Sequence, residues 1–68
     1  MERELETVVL PSGQRVNICE FLHMDNPGEL RPGLKFLRVD GETVPLAWGR
    51  DLLMREGRHD LIDRYRIP

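Results

Sequence analysis

The residues of this chain whose types do chemistry are few and scattered. His59-Asp60, within MREGRHDLIDRYRIP at residues 54–68, sets an imidazole beside a carboxylate. That is half of a metal-bound hydrolytic centre, and the other half would need a second His and Asp. The one other histidine, His23, lies in a segment rich in proline and glycine. Asp60 suits the first turn of a helix better, where a carboxylate meets the positive end of the peptide dipoles. Cys19, His23 and Asp25, with Glu20, carry the donor types of a zinc site. A structural zinc takes four ligands, mostly Cys and His at tight spacing, and one cysteine with two histidines does not supply them. No metal and no cofactor is expected.

Nucleophilic catalysis also lacks its parts. The only serine, Ser12, stands in a turn sequence, and no histidine lies where a strand would bring it onto the face of Cys19. The glycines are dispersed among turns and caps rather than grouped into a phosphate-cradling loop. The chain does not read as an enzyme.

What remains is a run of arginines. Arg55, Arg58, Arg64 and Arg66 surround Tyr65 near the C-terminus, and with Trp48 they are the candidate partner-binding residues. Arginine and large aromatics are favoured at interfaces, the first for its planar bidentate fork and the second for area. Glu56, Asp60 and Asp63 stand at helical spacings from several of these arginines, Asp60 to Arg64 being a favourable i,i+4 pair. The same residues therefore also describe a solvated helical face with local ion pairs. Trp48 has its own plain reading, as the central core residue of a small domain. A DNA- or RNA-binding alternative draws residues Arg50–Arg66 as helix, Gly57 turn, helix. Asp60 and Asp63 on the second helix would oppose phosphate.

Composition narrows the field further. The net charge is −2, with nine arginines to one lysine. Residues 1–49 carry −3, and residues 50–68 carry +1 from five arginines against four acids. Nucleic-acid affinity rests on phosphate neutralisation and calls for a larger basic excess. A single cysteine excludes an internal disulfide, so the reducing cytoplasm is the expected compartment. No stretch approaches the roughly 20 apolar residues that span a bilayer, and MERELE lacks the basic start and apolar core of a signal peptide. A chain of 68 residues buries only about 60% of its unfolded surface. Pairing with a copy of itself or docking on a larger partner would relieve that shortage.

The elements that must position these groups follow from periodicity. Residues 5–10 and 15–22 are rich in β-branched and apolar side chains and flank Pro11-Ser12-Gly13-Gln14, a hairpin signature. Val16, Ile18 and Leu22 share one face at period two; Asn17, Cys19 and Phe21 share the other. Residues 23–33 hold two Pro-Gly pairs and read as a loop. Residues 34–39 and 42–46 flank Asp40-Gly41, a strong two-residue turn. After Pro45 the period changes to that of a helix over 46–56, with Trp48, Gly49, Leu52 and Leu53 on one face, and Gly57 ends it. A second helix over 59–65 carries Leu61, Ile62 and Tyr65. The expected fold is α+β: a small antiparallel sheet of two hairpins followed by one or two C-terminal helices, in a single domain over 1–68. Its expected role is that of a small intracellular protein-interaction or regulatory module, without catalytic activity, docking on itself or on a larger protein and not on a membrane.

Overall fold

The chain folds as the expected α+β architecture, a four-stranded antiparallel sheet followed by two helices. The computed structural model describes the backbone of residues 1–26 and 29–68 and the side chains of residues 1–23 and 33–68. Strands β1 (Glu2–Val9), β2 (Arg15–Asn26), β3 (Glu29–Val39) and β4 (Glu42–Val44) lie side by side in chain order, every neighbour antiparallel. Helices α1 (Leu46–Arg55) and α2 (His59–Tyr65) follow. Sequential antiparallel strands need only tight turns. Asp40 and Gly41 supply one, both at positive φ (50° and 87°), the twist that matches a two-residue hairpin.

Much of the segment expected as a loop is strand. His23–Asn26 prolongs β2 and Glu29–Gly33 belongs to β3, with Leu22 opposite Pro32 and His23 opposite Arg31. Pro27 and Gly28 lie outside the described residues. The register shifts between Glu20 and Leu22, where β3 uses three residues to β2's two. A bulge of this kind lets Pro32, which has no N–H to donate, sit within a paired strand.

Both helices pack on one face of the sheet. That face presents Val8, Val16 and Val39 in register, then Ile18, Leu37 and Val44. Leu52 and Leu53 of α1 and Leu61 and Ile62 of α2 close over them, with Leu10 and Ile67 at the ends. The helix α1 approaches closely because Gly49 faces Leu37: a Cβ at Gly49 would stand 2.5 Å from Leu37 Cδ1. At its C-terminus α1 is closed by backbone bonds from Gly57 N–H to the Met54 carbonyl and from Arg58 N–H to the Leu53 carbonyl. Asp60 stands in the first turn of α2. Among the described residues, no helix is long and apolar enough to cross a membrane.

Candidate docking surfaces

The core contains no aromatic side chain. Its buried members are Leu, Val and Ile, joined on the other side of the sheet by Cys19. All four aromatic residues of the chain stand at or near the surface: Phe21 is 41% and Trp48 45% exposed, while Phe36 and Tyr65 are half-buried. Trp48 is thus not the core residue that its spacing to Leu52 suggested. Helical geometry of about 100° per residue places Trp48 far round from the centre of the buried face, which runs through Gly49 and Leu53. The close approach of Gly49 to Leu37 leaves no gap for an indole beneath the helix.

On the outward side of α1, Ala47, Trp48, Asp51, Met54 and Arg55 are all exposed. At helical spacing they form one stripe about 120° wide. Two shallow depressions of about 240 and 450 Å³ adjoin the indole, one reaching Gln14 and Leu52, the other Asp51 and Met54. Among the described residues neither Asp51 nor Arg55 makes an ion pair, although they stand at i,i+4. Arg50, at the margin of the stripe, donates from Nη1 to the Met54 sulfur at 3.4 Å and leaves its buried Nε without a partner.

The other candidate arginines are differently placed. Arg58 forms a two-point pair with Asp60, at 3.0 and 3.1 Å. Arg64 reaches Glu6 of β1 at 2.9 Å and Asp60 at 3.7 Å. Tyr65 donates its phenol to the same Glu6 oxygen. These bonds hold Glu6 and Asp60 below the usual carboxylate range. The Tyr65 bond is the largest cause for Glu6 and the Arg58 bond for Asp60. Arg66 ends α2 in the left-handed conformation (φ 51°) and is exposed. Arg58, Arg64 and Arg66 therefore do not form one free basic patch. Two are tied down to acids, and Glu6 was missed in the sequence because its distance along the chain hides the pairing.

The face of the sheet turned away from the helices is open. Thr7 and Asn17 both bond Glu4 there, and Arg38 pairs with Glu2 at 2.8 Å. Phe21 and Phe36, which look isolated in the sequence, stack with ring centroids 4.8 Å apart, and Arg38 lies 5.1 Å over Phe36. Cys19, opposite Phe36 in the ladder, is buried, and its burial pushes the thiol pKa up. A depression of about 520 Å³ on this face is lined by Glu2, Glu4, Asn17, Cys19 and Arg38. Its charged groups already have partners within the chain, which is the pattern of a solvated face.

The edges of the sheet offer little for strand addition. The strand β1 is broken by a register shift between Glu4 and Glu6 and is rich in charge. The strand β4 has three residues. The part of β3 before Leu37, which β4 does not cover, carries Lys35, Pro32 and the bulge. Short length, charge, proline and bulges all discourage strand addition. As for the Cys19, His23 and Asp25 grouping, Cys19 is buried, His23 is exposed with Gly33 against its ring, and the side chain of Asp25 lies outside the described residues. Among the described residues no group of three or more His, Cys, Asp or Glu is placed to hold a metal ion.

Compared with known proteins, the chain matches no family model, no curated protein and no solved structure.

Proposed function

We propose that this protein is a non-catalytic interaction module of the reducing cytoplasm that docks on a protein surface through the outward stripe of α1, with Trp48 as its anchor. One observation carries the reading. A domain short of core fully buries none of its four aromatics, packs only Tyr65 against the core's margin, and stands its only tryptophan, 45% exposed, on a rigid helix beside Met54. Each aromatic side chain can bury some 150–250 Å², so leaving the largest of them in solvent beside so small a core forfeits stability. Interfaces, by contrast, draw their largest energies from Trp, Tyr and Arg. The lone buried thiol supports the compartment.

The test is to place a photo-reactive benzophenone side chain at Ala47, at the rim of the stripe, and irradiate host lysate. Adducts to a protein, whether this chain or another, are expected, and they should disappear when Trp48→Ala is added. Adducts that persist in Trp48→Ala, or that arise only from a probe at Thr43 on the open sheet face, would overturn the assignment.

A further inference from the structure

We infer that the occupant of the α1 stripe is a second copy of this chain, its α1 crossing the first antiparallel about a two-fold axis. The inference rests on the docking reading above and names its partner. What selects a second copy is that the stripe contains its own complement. A two-fold interface puts the same patch on both sides, so every acid must find a base within the patch itself. Asp51 and Arg55 are one acid and one base, a single turn apart, exposed and without ion-pair partners among the described residues. With the axis near position 53, Asp51 of one copy meets Arg55 of the other, and the contact is repeated by symmetry. Met54 of each copy lies beside the axis, and Trp48 of each flanks it on opposite ends.

Other surfaces fit a second copy less well. Face-to-face packing of the open sheet would bury Glu2, Glu4 and Arg38, already paired within the chain at a desolvation cost with nothing new to bond. Strand addition meets the bulges and Pro32. Arg58 and Arg64 are held by Asp60 and Glu6.

The pairing is small, so association is expected to be weak, with a dissociation constant on the order of 10⁻⁵ M. Sedimentation of the purified chain over a concentration series should show a monomer–dimer equilibrium. Trp48 is the only tryptophan, so its emission should move to the blue as concentration rises and return on dilution. Trp48→Ala should weaken the dimer about 30-fold or more, as loss of a large aromatic anchor does. Asp51→Arg and Arg55→Asp should each give monomers, since each sets like charges together, and the double exchange D51R/R55D should restore the dimer. That rescue separates pairing from misfolding. A strict monomer at millimolar concentration, or a dimer indifferent to both single exchanges, overturns the inference. If the chain is monomeric while the Ala47 probe still captures another protein in a Trp48-dependent way, self-pairing fails and the docking reading stands. If no adduct forms either, both fail.

Discussion

The phenol of Tyr65, on the last helix, donates its hydrogen bond to the carboxylate of Glu6, on the first strand, across 59 positions of sequence. Arg64 reaches the same oxygen from the next position, so one acid clasps the end of the chain to its beginning. The bond from Tyr65 is the main reason that Glu6 titrates below the usual carboxylate range. A carboxyl whose pKa is depressed by folding stabilises the native state above its unfolded pKa and loses that contribution as pH falls through the folded pKa. Glu6→Gln is therefore expected to lower the urea midpoint at pH 7, by an amount that shrinks as pH falls through the depressed folded pKa. Tyr65→Phe should lower the midpoint at pH 7 as well, and its effect should shrink in the Glu6→Gln background. A Glu6→Gln deficit that is as large at low pH as at pH 7 would contradict the clasp.

Cys19 should be inert in the native state. It is 2% exposed, and burial raises its thiol pKa, with Arg38 only partly opposing. The thiolate is the reactive form. With an aromatic disulfide reagent at pH 8, labelling should run at least about 100-fold slower than in urea, limited by opening of the sheet. Complete labelling of the folded protein within the mixing time would show that the open face exposes its thiol.

The architecture was legible wherever it is written locally. Asp40-Gly41 between two apolar runs announced the second hairpin, and the alternation from Val16 to Cys19 assigned the two faces of β2. The change of period after Pro45 located the helices. Two features were not local. Pro27-Gly28 and Pro32-Gly33 punctuate the sequence like a loop, yet Pro32 stands in a strand opposite Leu22, next to a bulge and on the stretch of β3 that β4 does not cover, where proline is tolerated. The spacing of Trp48 to Leu52 fits a buried helical face, but the phase of that face is set by Gly49 meeting Leu37, a contact between elements. The candidate site divided along the same line. Arg55 and Trp48 are free at the surface, while Arg58 has its partner close by in the sequence, and Arg64 and Tyr65 have one that only the fold supplies.

Arg66 has a structural duty that another residue would perform better. It is the non-glycine residue at which α2 ends in the left-handed region, letting Ile67 turn back to donate to the Ile62 carbonyl and bury its side chain. That conformation costs an L-residue about 1–2 kcal/mol, from which glycine's greater freedom in the unfolded chain subtracts. Arg66→Gly should raise stability by about 0.5–1 kcal/mol, a gain of a few degrees in melting temperature for a domain this size. Arg66→Val should lower it. A loss of stability in the glycine variant would mean that the guanidinium, rather than the backbone, is what the position requires.

The approach of Gly49 to Leu37 sets the height of α1 above the sheet and, with it, the exposure of Trp48. A methyl group at Gly49 would fall 2.5 Å from Leu37 Cδ1, and Leu37 is fully buried in the core. Gly49→Ala should cost about 1–3 kcal/mol through overpacking, even though alanine is the better helix former by about 1 kcal/mol. Leu37→Ala alone should cost about 2–5 kcal/mol by leaving a cavity. Put together, the two changes should not add. With Leu37 shortened, the methyl at position 49 enters the space it vacates and the helical preference of alanine becomes a net gain, so Gly49→Ala turns from destabilising to neutral or stabilising. Denaturant titration of the four proteins of this cycle measures the reversal. Simple additivity would place the strain elsewhere and remove the stated reason for Trp48 standing in solvent.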